Sequence, residues 1–196
     1  GKPAGISIEP TTTCNLECPE CPSGLRIFTR NTGMLKPDLF QQILHQVSNT
    51  VFMLILYFQG EPLLNKHIYS YIALAKKKRV YTMISTNANK LDDAAAKKLV
   101  ESGLSKLIIS MDGTTQEVYE QYRRTGNLLK AQEGLMHVLK WKKTLNVKYP
   151  KVYLQFLVTS KNEHQIPEIK KMGKEWGVDK VTLKTAQFYE YENGNE

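Results

Sequence analysis

Three cysteines, Cys14, Cys18 and Cys21, fall within eight residues, and the rest of the chain holds no other. Soft sulfur ligands select zinc, copper(I) or iron–sulfur, so so tight a group marks a metal or iron–sulfur site. The odd number is informative. Three thiolates can hold three irons of a cubane and leave the fourth open to a small molecule that binds and reacts there. A structural zinc site normally takes four ligands in paired spacing, and a ferredoxin-type cluster four thiolates. Here the intervals are three residues and then two, with no evident fourth ligand. On the residues alone a non-catalytic zinc or iron–sulfur module stays open as the alternative.

The elements that must position these thiols alternate along the chain. Ile6–Glu9, Leu54–Phe58, Tyr81–Thr86, Lys106–Met111, Val152–Val158 and Lys180–Lys184 are rich in Ile, Val, Leu and Tyr and read as six strands. Amphipathic stretches lie between them: Lys36–Ser48 with Pro37 in its first turn, Asn65–Arg79, and a helix capped by Asp92 or Asp93 and stopped at Gly103. Thr114–Lys143 reads as two helical pieces broken near Gly126, and Gln165–Trp176 as a last helix ended by Gly177. Gly103-Leu104-Ser105-Lys106 and Gly177-Val178-Asp179-Lys180 echo each other as helix–strand joints. Alternation of this kind implies an α/β fold with a parallel sheet, either an open barrel or a doubly wound sheet.

In parallel α/β folds chemistry gathers at the carboxyl ends of strands. The cysteine loop follows the first strand, Gln59-Gly60-Glu61-Pro62 the second, Ser85-Thr86-Asn87-Ala88 closes the third and Ser110-Met111-Asp112-Gly113 the fourth. Each taken singly is also a common turn. Four on one rim are better explained by a shared site. The six methionines are scattered and read as core filling, and His45, His67, His137 and His164 have no metal-ligand spacing to one another.

With 196 residues and 41% hydrophobic content, the chain supports one full core. Its longest near-apolar run, Val51 to Phe58, falls well short of the roughly 18–20 residues a membrane span needs and reads as a buried strand. The N-terminal segment lacks a signal-peptide core, and clustered free thiols suit a reducing compartment, so a cytoplasmic location is expected. The net charge of +8 invites a nucleic-acid partner, but Lys76-Lys77-Lys78-Arg79 and Lys140, Lys142 and Lys143 close predicted helices, where cations favour the macrodipole. Nucleic acid is therefore a possible partner and not the favoured one.

These residues together resemble the radical S-adenosylmethionine (radical SAM) enzymes. The hallmark of that family is Cys-x3-Cys-x2-Cys in the loop after the first strand of a partial barrel, and Cys14, Cys18 and Cys21 match it in spacing and position. Gln59-Gly60-Glu61-Pro62 is similar to the family's Gly-Glu-Pro motif, where backbone and acid receive the amino group of SAM. Ser110-Met111-Asp112-Gly113 resembles the fourth-strand segment, Thr86-Asn87 the third-strand polar motif, and Arg123 (or Arg124) the arginine that pairs the SAM carboxylate. The fifth strand ending at Val158 corresponds to the one lying against adenine, with Asn162 just beyond. The match covers about residues 6–185.

The resemblance implies a partial (β/α)6 TIM-like barrel and a [4Fe-4S] cluster held by the three cysteines, with its open iron chelating SAM. It also implies a 5′-deoxyadenosyl radical that abstracts hydrogen from a substrate. Glu61 would answer the SAM ammonium and Arg123 its carboxylate, while Ser110, Asp112 and Asn87 fix the ribose and methionyl groups. No residue is an evident substrate acid or base. Glu20 departs from the aromatic or His that many members carry before the third cysteine. The texture is most similar to the subgroup with a C-terminal cysteine-rich SPASM extension, which modifies peptides or protein side chains. That extension is not in these residues, so residues 1–196 read as a core domain and a fragment of something longer. A reductant such as flavodoxin or ferredoxin and a peptide, protein or small-molecule substrate are the expected partners. RNA or a nucleotide is the alternative substrate.

Overall fold

Six strands run in one direction and pair in chain order: β1 (Gly5–Ser7), β2 (Met53–Ile55), β3 (Tyr81–Thr86), β4 (Lys106–Ser110), β5 (Lys151–Val158) and β6 (Lys180–Thr185). The computed structural model describes residues Lys2–Ala186. The strictly sequential order, every pair parallel, resolves the two architectures left open by the pattern. A doubly wound sheet reverses its strand order at a switch point, whereas a barrel adds each strand beside the last. The sheet is a barrel wall, and no β1–β6 pairing closes it among the described residues.

Helices α1 (Pro22–Leu25), α2 (Pro37–Val47), α3 (Ile68–Lys77), α4 (Asp93–Glu101), α5 (Gln116–Tyr122), α6 (Leu128–Thr144) and α7 (Ile166–Trp176) occupy the connections. Alternate strand residues, among them Leu54, Ile84, Leu107, Ile109, Leu154 and Phe156, are fully buried with the helices in one core. The opposite set, including Ser85, Gln155 and Leu157, faces the hollow of the barrel. Strand alternation thus divides hydrophobic packing from chemistry. Between α2 and α3, Phe40 stacks on Tyr71 at 4.3 Å, a pair worth about 0.5–1.5 kcal/mol beyond its buried area.

The helix boundaries follow from local chemistry. Asp92, not Asp93, caps α4 by accepting from Ala95 N at 2.8 Å, and Gly103 follows its end with φ +78°. Thr115 and Asn127 cap α5 and α6, so the predicted break near Gly126 divides two capped helices. Gly177 ends α7 in the left-handed region.

Three expectations need correction. The run Val51–Phe58 is not one buried strand: β2 spans only Met53–Ile55, and Phe52 and Phe58 are 63% and 74% exposed. The chain bends away after Leu56 to carry Gln59 and Gly60 across to the cysteine loop. The first strand ends at Ser7, because Glu9 turns to bond Gln59 N and Arg30. The helix expected from Asn65 begins at Ile68, since the Asn65 side chain donates to Pro10 O and Leu35 O and accepts from His67 N. The tail Phe188–Glu196, in which no helix was expected, lies outside the described residues.

Candidate active site

The cysteine loop is fastened at both ends before its thiols enter. On the incoming side Thr12 N donates to Gly33 O and Thr12 Oγ1 accepts from Gly33 N, while Thr13 O accepts from Glu61 N at 2.8 Å. The backbones approach so closely that a Cβ on Gly60 would meet Thr11 O at 2.1 Å, and Gly60 sits at φ +75°. Only glycine serves there. On the outgoing side Pro22 opens the one-turn helix α1, and Ser23 donates to Gln59 Oε1 at 3.0 Å and accepts from Gly60 N at 2.8 Å. Gln59 Oε1 also stands 3.4 Å from Cys21 Sγ.

The Gly60-Glu61 turn is locked in turn to the end of β3. Glu61 is 2% exposed, and its carboxylate accepts from Leu63 N at 3.1 Å, Thr86 Oγ1 at 2.7 Å and Asn87 N at 2.9 Å. Burial pushes this carboxyl above its ordinary pKa, while those three donors and Arg123 pull the other way. Asn87 Nδ2 donates to Asn15 Oδ1 at 3.1 Å and lies 4.0 Å from Cys14 Sγ, so one asparagine joins the third strand to the first thiol.

From the far side comes Arg123, just beyond α5. Its Nε donates to Asp112 Oδ2 at 2.6 Å and its Nη1 lies 3.9 Å from Cys18 Sγ. Asp112, 1% exposed, also accepts from Leu157 N at 2.7 Å, and its backbone oxygen accepts from Asn162 Nδ2. The pair thus ties β4, β5 and α5 beneath the site, and a buried carboxylate flanked by a guanidinium and an N–H is satisfied on both oxygens.

Cys14, Cys18 and Cys21 line one cleft with Gln59, Gly60, Glu61, Thr86, Asn87, Ser110 and Arg123. The cleft itself is small, about 160 Å³, and shares Cys21, Tyr57, Phe58, Gln59, Ser85, Tyr122 and Arg123 with a wider hollow beside it. Asp112 lies behind it and Val158 does not line it; on β5 the residues that face the hollow are Gln155 and Leu157. Ser110 Oγ stands 3.4 Å from Ser85 Oγ on the cleft floor. Ser23, Asn15 and Asn65 were not anticipated as positioning residues. Ser23 carried a faint signal, since Cys21-Pro22-Ser23 places a hydroxyl one residue past a helix-starting proline.

The thiols suit a cation. Burial pushes Cys14 up to about 11, outweighing the Leu16 N–H, with Glu61 and the other two cysteines adding to the rise. Burial also raises Cys18, with Arg123 opposing. Such thiols remain protonated at neutral pH until a metal displaces the protons. Among the described residues no three His, Cys, Asp or Glu side chains converge on a single ion. Three soft ligands spread around one cleft fit a polynuclear iron–sulfur group better than a mononuclear zinc, which draws its ligands to one point.

The lysines that motivated a nucleic-acid partner sit elsewhere. Lys76, Lys77, Lys142 and Lys143 lie in the last turns of α3 and α6; three further lysines, Lys106, Lys151 and Lys180, open strands. In a parallel βα wall both places belong to the rim opposite the cysteines. No helix among the described residues is long and apolar enough to cross a membrane.

The PqqA peptide cyclase of Bradyrhizobium diazoefficiens is 23% identical over 189 residues, covering 96% of this chain and 48% of that protein. The tungsten-containing aldehyde ferredoxin oxidoreductase cofactor-modifying protein of Pyrococcus furiosus is 28% identical over 184 residues, 91% of this chain and 50% of the relative. The chain therefore spans about half the length of these curated relatives. The crystal structure of Streptococcus suis SuiB superposes with a TM-score of 0.78 at 18% identity over 97% of this chain and 41% of SuiB, a likeness of fold. A family profile described as the radical SAM superfamily matches residues 8–172, and the chain belongs to that superfamily.

Proposed function

We propose that this chain is the core of a radical SAM enzyme that modifies a peptide or protein side chain, with Cys14, Cys18 and Cys21 holding a [4Fe-4S] cluster. One observation carries the cofactor assignment: three free thiols share a cleft with the Gln59–Glu61 backbone and the Arg123 guanidinium. The peptide assignment is supported by the relatives, one a peptide cyclase and the other, SuiB, solved with a precursor peptide. Held by these three cysteines, a cluster would supply the one electron for reductive cleavage of SAM to methionine and a 5′-deoxyadenosyl radical, the species that would abstract hydrogen from a substrate.

The chain's own residues bind and orient. SuiB has been solved bound to S-adenosylmethionine, and in this chain the polar groups of the cleft suit the same molecule. Arg123, held by Asp112 from behind, offers its Nη groups to the SAM carboxylate. The Gln59 and Gly60 backbone offers carbonyl oxygens to the ammonium. Glu61 fixes that edge by gripping β3 and adds negative potential behind the ammonium. Asn87 and Ser110 present an amide and a hydroxyl to the methionyl and ribose groups. Locked hydrogen bonds behind each contact keep misplacement small, and misplacement is what costs rate most steeply. A flavodoxin or ferredoxin is the reductant this chemistry calls for.

Electron paramagnetic resonance of the anaerobically reconstituted, reduced protein tests the assignment. We expect a cubane signal that shifts when SAM is added and is altered or lost in Cys14→Ala. A signal indifferent to SAM, or one zinc per chain with no sulfide, would refute it.

A further inference from the structure

We propose that the chamber beyond the cysteine cleft receives an acidic side chain of the substrate peptide, and that Lys184 selects it; the inference rests on the peptide reading above. The cleft continues past Cys21, Ser85, Tyr122 and Arg123 into a wider hollow of about 620 Å³. Its far wall is Gln155 and Leu157 of β5 with Lys184 and Thr185 of β6. Strand register builds this wall: Gln155 stands beside Ser110, and Lys184 beside Leu157. Lys184 is thus on the same inner surface as the floor of the cleft.

The charges in the chamber are unequal in what they have left to bind. Arg123 is paired with Asp112 and leans on Cys18. Glu20 is engaged within the chain. The exposed Lys184 side chain forms no ion pair or hydrogen bond among the described residues. An uncompensated ammonium with the Gln155 amide nearby matches one carboxylate. Across the hollow stand Tyr57, Tyr122 and Phe58, the last 74% exposed. An aromatic left open at the mouth of a hollow suits the apolar stem or neighbour of the acidic residue.

The test is selection of a displayed random heptapeptide library on the cluster-loaded, SAM-bound protein and on its Lys184→Met and Lys184→Glu variants. Lys184 lies exposed on β6, an outer strand of the sheet, and thermal melts are run to check that both variants fold. The wild type is expected to enrich Asp or Glu at one position about fivefold, the reach of one exposed ion pair. In Lys184→Met that preference should vanish while peptides are still retained through the aromatic wall, and Lys184→Glu should turn it toward Lys and Arg. Peptides selected without an acidic preference, or a preference that survives in Lys184→Met, would overturn the assignment and leave the peptide reading standing. Recovery of no peptide by any of the three proteins would overturn both.

Discussion

Glu61→Gln separates two roles that a conserved charge count would blur, direct contact with a ligand amine and internal bracing of the site. Glu61 Oε1 accepts from Leu63 N and Thr86 Oγ1, and Oε2 accepts from Asn87 N. Glutamine keeps one acceptor and sets an NH2 against whichever N–H the other oxygen served. Flipping the amide only moves the conflict. One buried donor is orphaned, which costs about 1–3 kcal/mol, and relief of the buried charge offsets part of the loss from weaker remaining bonds. In a chain of 196 residues a kcal/mol corresponds to about 2–4 °C, so the melting temperature of the cluster-free protein should fall by roughly 2–12 °C. The paired assay is calorimetric SAM binding to the reconstituted protein. If Glu61 braces the turn, stability falls without ligand and affinity falls less than the loss of a direct ion pair demands. An unchanged melting temperature with a large loss of SAM affinity would refute the bracing argument.

Other perturbations probe the remaining supports. Arg123→Met should cost about 3–5 kcal/mol in urea unfolding because it strands the buried Asp112 carboxylate, and adding Asp112→Asn should recover part of it; strict additivity would show the two do not act as a pair. Gly60→Ala forces a side chain into the left-handed region, at about 1–2 kcal/mol, and against Thr11 O, so iron and sulfide content after reconstitution should fall along with stability. An unchanged iron content would mean the cysteine loop does not depend on that close approach. Burial pushes the Asp179 carboxyl up, but Lys151, the Val152 N–H and Lys142 outweigh it and hold it below the ordinary aspartate value. Its stabilisation is therefore present above about pH 4 and lost as pH falls through the lower folded-state value. Asp179→Asn should melt below the wild type at pH 7, with the gap closing under pH 4; a gap independent of pH would exclude the charge as its cause.

What the sequence made legible is what depends on neighbours in the chain. Helices α2, α4 and α7 showed through their apolar spacing and end residues, and the four polar segments through their positions after strands. The element pattern alone could not tell barrel from doubly wound sheet, because strand order is a long-range property; the family resemblance pointed to the barrel. Glu61 illustrates the limit at the site. Its spacing from Pro62 marked a motif, but its partners Thr86 and Asn87 lie on another strand, so bracing could not be read. Asp112 looked like half of an Asp-Gly turn or a ribose contact; folding sets it behind the cleft as the anchor of Arg123. Ser23, Asn15 and Asn65 resembled ordinary loop polar residues until folding brought Gln59, Asn87 and Pro10 within reach. The run Val51–Phe58 misled in the other direction, since apolar residues at a strand's end can belong to a cavity mouth instead of a core.

The two sides of the barrel hollow differ in a way that bears on how such a site works. On the side of β1 to β4 each polar contact is held by another: Ser23 braces Gln59 and Gly60, Glu61 braces Asn87, and Asp112 braces Arg123. On the side of β5 and β6, Lys184 and Thr185 stand exposed on an outermost strand without such cross-links among the described residues. Preorganised donors and acceptors lower the cost of orienting a ligand, and they do so only for a ligand of fixed shape. A cofactor that is the same in every turnover suits the braced side. A substrate whose side chain must be brought close to a reactive carbon, and which differs from one enzyme to another, suits the open one. If the chain is the peptide-modifying core proposed above, substitutions at Lys184 or Gln155 should alter which peptide is taken while SAM binding is kept, whereas substitutions at Glu61 or Asp112 should act on the cofactor side first.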